Sequence, residues 1–219
     1  MKFVDWGVIP YRVAWQQQQQ LFAQSIENKQ KGLPTDDVFI FCEHPSVFTL
    51  GRHGNPANML LNEAYMKQMQ VELVQIDRGG DITYHGPGQI VGYPIVDLDH
   101  YRIGLKDYIH RIEEIIICTI ARWGIQGQRM AGATGVWIDV GRPTCRKIAA
   151  IGVRSSKYVT MHGFALNVNT DLNYFRMINP CGFTDKAVCS MQSETKQIID
   201  MEQVRQTIRQ YAEKQFFIP

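Results

Sequence analysis

The stretch that most restricts how this chain can fold is RGGDITYHGPGQIVGYP, Arg78 to Pro94. Six of the ten residues from Arg78 to Pro87 are Gly, Pro, His or Tyr. Glycine opens backbone conformations closed to other residues and proline removes a hydrogen-bond donor, so neither a continuous helix nor a regular central strand passes through. On either side, VELVQID and QIVGYPIVDL have the β-rich composition of strands. The motif therefore begins where one strand ends and delivers the chain into another.

Elsewhere the pattern alternates between helical and extended periods. VDWGVIPYR reads as a strand, and AWQQQQQLFAQSIENKQK as a helix with Trp15, Phe22 and Ile26 on one side and Leu21 near its border. The run Gln16 to Gln20 reads as a solvated helix face rather than a low-complexity tract. VFIFCEHPSVFTLGRHG gives two short β-rich runs around His44-Pro45, and NEAYMKQMQ a short helix. Tyr101 to Gly124 is the clearest helix, with Leu105, Tyr108, Ile109, Ile112, Ile116 and Trp123 at helical spacing. Successive strands are expected from Gly135 to Asn169, with a hairpin turn near Ser155-Ser156, then an irregular stretch from Thr170 to Glu194 and a closing amphipathic helix near Met201 to Gln215. No repeat and no Gly/Pro/Ser-rich linker divides the 219 residues, so one α+β domain over 1–219 is expected.

The balance of composition narrows the function class. A hydrophobic share of 45% with 20% charged residues is ordinary for a globular protein, and a formal charge of +2 is too small to point to nucleic acid. No charged leader precedes an apolar run and no window approaches bilayer length, so a cytoplasmic location is expected. Five cysteines with no C-x-x-C pair suggest neither a disulfide framework nor a zinc cage, and no metal site is expected.

Gly79-Gly80 and Gly86-Pro87-Gly88 match no nucleotide-binding fingerprint. They are either tight turns at strand ends or backbone that approaches a ligand closely; the company of Arg78, Thr83, Tyr84 and His85 favours the second. His85 and His162 are each compatible with a structural role. Cys181 sits in NPCGF, where proline constrains the entry and glycine permits a sharp exit, while Cys145 and Cys189 stay competitors for a reactive thiol. Cys42 and Cys118 lie in apolar runs. Lys147 heads the strand RKIAAIGV, where its amine is either in water at the strand end or partly desolvated with a lowered pKa. Spacing alone does not bring Lys147 to Cys181.

Four motifs in this order, RGGDITYHGPGQIVGYPIVDL, RKIAAIGV, MHGFALNVN and INPCG, closely resemble the lipoyl(octanoyl) transferases, and the similarity spans roughly Val38 to Glu194. The resemblance implies a fold like the catalytic domain of the biotin and lipoate protein ligases, a mixed β-sheet flanked by helices. It implies transfer of an octanoyl or lipoyl group from the phosphopantetheine thioester of acyl carrier protein to a lysine of a lipoyl domain or of the glycine-cleavage H protein. This is the first step of endogenous lipoate biosynthesis. No cofactor is expected beyond the arm carried by the donor.

The family's acyl-enzyme cysteine falls on Cys181 and its pKa-lowering lysine on Lys147. Its substrate-binding segments fall on Arg78, Gly79, Gly80, Asp81, Ile82, Thr83, Tyr84 and His85, on Ala150, Ile151 and Gly152, and on Gly163, Phe164 and Ala165. Two positions depart from the family pattern: Phe183 follows PCG where an aliphatic residue is common, and Cys189 stands where threonine is frequent, a second thiol that labelling experiments must take into account. The expected chemistry is ping-pong acyl transfer through a Cys181 thioester, with Lys147 handling the proton and backbone N–H groups near the glycine turns receiving the oxyanion. About seven buried carbons at roughly 0.8 kcal/mol each give on the order of 5 kcal/mol of binding before ordering costs. The carrier and acceptor domains of such pathways are acidic, which implies transient, salt-weakened docking. The alternatives are an ATP-dependent lipoate-protein ligase and a non-catalytic acyl-carrier-binding module.

Overall fold

The computed structural model describes residues 1–179 and 187–217. From the N-terminus the chain forms β1 (Lys2–Val8), α1 (Tyr11–Gln30), β2 (Val38–Glu43), β3 (Val47–Leu50), α2 (Glu63–Gln68), β4 (Glu72–Gln75), β5 (Ile82–His85) and β6 (Gln89–Ile95). It continues through α3 (Leu105–Ala121), β7 (Gln128–Met130), β8 (Ala133–Ile138), β9 (Arg146–Ser156), β10 (Val159–Asn167), β11 (Ala187–Val188), α4 (Met191–Thr195) and α5 (Met201–Gln215).

Among the described residues a large sheet runs β1-β2-β6-β10-β9-β8-β7, with β11 added beside β9, and a second sheet runs β4-β3-β5. The large sheet is mixed: β1 lies parallel to β2 and β11 parallel to β9, while the other pairs are antiparallel. α1 packs on β6 and β10 at one face, and α3 packs on β8, β9 and β10 with α5 against it. Helices on both faces explain why β6 is apolar after Gln89 and every one of its residues is buried. In β2 the period of two divides the strand: Phe39 and Phe41 enter the core with Ile112 and Ile116 of α3, while Ile40 and Cys42 join Ala14 of α1. The fold is thus α+β, a mixed sheet flanked by helices, as the resemblance implies.

Several boundaries move. The first strand ends at Val8 and α1 begins at Tyr11, ahead of Ala14, because Pro10 carries the φ of −56° suited to a helix start and Tyr11 buries its ring. The glutamine run is not wholly solvated: Gln18 is fully buried and its Oε1 accepts the His162 N–H at 3.1 Å. The β9–β10 hairpin turns at Lys157-Tyr158, two residues beyond Ser155-Ser156. Both turn residues have positive φ, 51° and 64°, the mirror-image turn whose twist matches that of the strands. Within the stretch expected to be irregular, Leu172–Met177 forms a 3-10 turn and Met191–Thr195 a short helix opened by a Ser190–Ser193 capping box.

Candidate active site

A cavity of about 500 Å³ lies against β9 and β10. Its wall includes the turn from Arg78 to Thr83 together with His85, the segment 150–152 and the segment 163–165. The turn sits directly on the strand: the Gly79 N–H donates to the Val153 carbonyl at 3.0 Å. A Cβ at Gly152 would stand 2.8 Å from the Gly79 carbonyl oxygen and 3.1 Å from Arg78 Cδ, so the close approach requires glycine there. Tyr84, expected with this segment, does not border the cavity. On β5 alternate residues face opposite ways, and the Tyr84 ring stacks on Tyr174 at 4.4 Å and packs with Phe48 in the core of the small sheet, its hydroxyl on Ser46.

Lys147 lines the same cavity by virtue of an irregularity. In a regular strand residues three apart face opposite sides, so Lys147 would turn away from Ala150. The register of β8 on β9 shifts between Val136↔Ala149 and Trp137↔Lys147, which makes Ile148 the extra residue of a bulge. Ile148 and Ala149 both enter the main core as a result, and Lys147, Ala150 and Gly152 all border the cavity. Gly135, at φ 127°, lies beneath the lysine stem; a Cβ there would meet Lys147 Cε at 3.5 Å and the Ala149 carbonyl at 2.6 Å. The Gly135 N–H is held by buried Glu113 of α3, whose other oxygen pairs with Arg129. Lys147 Nζ stands 4.4 Å from the centre of the Trp137 ring.

Cys181 lies outside the described residues. The residues on either side of that segment are anchored to site elements. Before it, the Asn179 N–H donates to the Asn58 carbonyl at 2.8 Å, and the Asn58 side chain donates to the Asp81 carboxylate at 2.5 Å. After it, Ala187 and Val188 pair with Arg146 and Lys147, and the Cys189 N–H donates to the Lys147 carbonyl at 2.9 Å. Asp81 of the glycine turn and Lys147 of the bulged strand thus hold the two flanks.

A buried polar chain ties these parts together, and two carbonyls fix its orientation. Asn167 Nδ2 must donate to the Cys189 carbonyl, at 3.0 Å, so its Oδ1 accepts from Gln89 Nε2 at 2.9 Å. Gln89 Nε2 also donates to the Tyr84 carbonyl at 3.2 Å, which leaves Gln89 Oε1 to accept from His85 Nδ1 at 2.8 Å. His85 is therefore the Nδ1–H tautomer, and its Nε2 faces the Thr49 hydroxyl at 3.4 Å; Thr49 in turn accepts from Arg78 Nη2 through both its carbonyl and its hydroxyl. Burial, then His44 and Arg78, push the His85 pKa far below its ordinary value, which keeps the ring neutral.

His162 donates from Nε2 to Asp77 at 2.8 Å. Burial lowers the basicity of His162, and the bond it gives holds the Asp77 carboxyl down at about 2. His162 also has φ 60°, a left-handed conformation within a strand. His85, expected among the substrate-binding residues, orients the polar chain at the cavity wall, and His162, compatible in the sequence with a structural role, secures Asp77 beside the turn.

Residues missed in the sequence include Tyr11, Gln89, Tyr93, Trp137 and Asn167, all of which border the cavity. Only Trp137 gave a signal, an aromatic two residues past Gly135 in a run otherwise aliphatic. Cys189 is not the competing thiol it was taken to be. It is 2% exposed, and burial followed by Glu194 pushes its pKa up. Cys42 is likewise buried and pushed up, whereas Cys118 and Cys145 are half-buried. Among the described residues no group of three or more His, Cys, Asp and Glu is placed to hold a metal ion, and no helix is long and apolar enough to cross a membrane.

The fold is that of solved lipoate protein ligases. Lipoate-protein ligase A bound with ATP superposes with a TM-score of 0.72, covering 98% of this chain and 84% of that one at 15% identity. A bi-partite lipoate protein ligase from Thermoplasma acidophilum gives 0.71, covering 98% and 82%, also at 15% identity. The family model described as lipoyl protein ligase A/B catalytic domain matches residues 10–213. An octanoyltransferase of Bacteroides thetaiotaomicron is 53% identical over 205 residues, 94% of this chain and 90% of that protein. One of Christiangramia forsetii is 45% identical over 217 residues, 96% and 93% of the two chains. The chain belongs to the lipoyl protein ligase A/B family and, within it, to the octanoyltransferases.

Proposed function

We propose that the cavity receives the octanoyl chain of an acyl carrier protein thioester and that Cys181 and Lys147 move it to a lysine of a lipoyl domain or of the glycine-cleavage H protein. The chain is an acyltransferase acting in lipoate biosynthesis; the residues, the partners and the covalent intermediate belong to the proposal. What supports it above all is that the bulge in β9 turns Lys147 onto the cavity wall, opposite Val188, with Cys181 six residues before Ala187 in the sequence.

In the first half-reaction the Cys181 thiolate attacks the thioester carbonyl. The carbon–sulfur bond to phosphopantetheine breaks, and the departing thiolate takes a proton from the Lys147 ammonium. In the second, the neutral amine of the acceptor lysine attacks the Cys181 thioester, Cys181 leaves as thiolate, and Lys147 accepts the excess proton. The tetrahedral oxyanion of each step calls for backbone donors, which the glycine turn offers as a class. The apolar wall supplies binding for the eight-carbon tail, while Arg78 to His85 close one side. No cofactor enters this scheme, because the thioester already carries the activation. A single catalytic domain over 1–219, working in the cytoplasm on acidic carriers, belongs to the same proposal.

Incubation with octanoyl acyl carrier protein should add one octanoyl group to the intact mass, removed by hydroxylamine and mapped to Cys181. Binding of the carrier without an adduct would leave the non-catalytic module. A Cys181→Ala protein fully active with free octanoate and ATP would instead make it a ligase. The identities favour the transferase: the relatives named octanoyltransferase stand at about 50%, whereas the ligases share 15% and speak to the fold alone.

A further inference from the structure

Trp137 is the largest side chain at the cavity whose place the acyl-transfer scheme does not use. Its neighbours Val136 and Ile138 point into the main core, while Trp137 faces the cavity and is nevertheless only 2% exposed. Its Nε1 donates to the Ala133 carbonyl at 3.0 Å, which pins the ring and satisfies its one polar atom. The bulge sets it directly opposite Lys147, and Gly135, on the same side of β8, leaves the lysine stem room to run towards the ring. The ammonium nitrogen then sits 4.4 Å from the ring centre. An indole face attracts a cation through its quadrupole, more strongly where water is displaced.

We propose that Trp137 is a positioning residue for Lys147: its ring fixes where the amine sits at the cavity wall and favours the protonated amine, which tunes the proton transfer. This rests on the role given to Lys147 above. The ring acts on the reaction only through the lysine and need not touch the thioester.

The contact is tested in the full-length protein by replacing Trp137 with fluorinated tryptophans, which keep shape and Nε1–H while progressively weakening the ring quadrupole, and with Phe. Single-turnover acylation by octanoyl acyl carrier protein is followed by mass against pH. The limb set by Lys147 should move to lower pH as the ring is fluorinated, by up to about one pH unit when the attraction is lost.

A second readout needs no turnover. The alkaline step in tryptophan fluorescence expected of the wild-type chain should vanish in Lys147→Met. A slower reaction with the limb unmoved across the fluorinated series would make Trp137 a cavity wall and overturn the proposal, as would a fluorescence step that survives Lys147→Met. Normal acylation by Lys147→Met would instead remove the lysine role itself and the tuning with it, an outcome separable from the first because the fluorescence step would still be lost.

Discussion

Replacing Asn167 by Leu keeps the volume of the side chain and removes both of its polar atoms. Two buried partners are stranded: the second N–H of Gln89 and the Cys189 carbonyl. Each unsatisfied buried group costs about 1–3 kcal/mol, so the variant should lose roughly 2–6 kcal/mol of stability. With a urea slope of about 2–3 kcal/mol per molar for a chain of this size, the midpoint should fall by about 1–3 M.

Gln89→Leu strands three groups, the His85 Nδ1–H, the Tyr84 carbonyl and Asn167 Oδ1. The double variant strands only His85, Tyr84 and Cys189, because the Gln89–Asn167 bond leaves with both its ends. Its loss should therefore undercut the sum of the singles by about 1–3 kcal/mol. Cys189 is bonded to the Lys147 main chain, so acylation by Asn167→Leu should also slow by about ten- to a hundredfold at temperatures where it is folded. Urea midpoints that add, or an Asn167→Leu midpoint equal to that of the wild type, would refute the polar chain as drawn.

Stability should fall on acidification below about pH 6.5. Burial holds His44 at about 4, so the unfolded chain takes up its proton first; the stabilisation is complete above the ordinary imidazole value and drains away as pH falls towards 4. At about 1.4 kcal/mol per pH unit that is about 3 kcal/mol from His44 alone, and urea midpoints against pH should flatten in His44→Gln. Gly152→Ala should push the Arg78–Gly80 turn off β9, costing about 1–3 kcal/mol and most of the acylation rate; unchanged single-turnover kinetics would show that the turn is not part of the wall. Iodoacetamide at pH 8 should leave Cys42 and Cys189 unmodified in the native protein, as peptide mapping would establish; modification of Cys189 as fast as in urea would contradict its burial.

The glycine turn was legible because its meaning is local: Gly79, Gly80 and Pro87 dictate backbone whatever surrounds them. α3 was legible because Ile112 and Ile116 repeat at the helical period over a long run. The polar chain was not, since Gln89 and Asn167 are 78 residues apart and neither is unusual in its own segment. Gln18 misled for the same reason: its partner, the His162 N–H, is 144 residues away. Tyr84 was placed with its motif, whereas a strand deals alternate residues to opposite sides. Lys147 shows the converse, because simple alternation along RKIAAIGV would group it with Ala149, which enters the core, and only pairing with β8 reveals otherwise.

That bulge has a bearing on which mutations this gene tolerates. Along Arg146–Gly152 one extra residue keeps Lys147 and Ala150 on the same side, so the count of residues matters there as well as their identity. Losing Ile148 would restore regular pleating and, because Lys147 would then lie two residues from Ala150, leave the amine on the cavity side at the cost of one core side chain. In an alignment with a relative one residue shorter here, the gap therefore belongs at Ile148, so that the lysine facing the cavity is paired with Lys147.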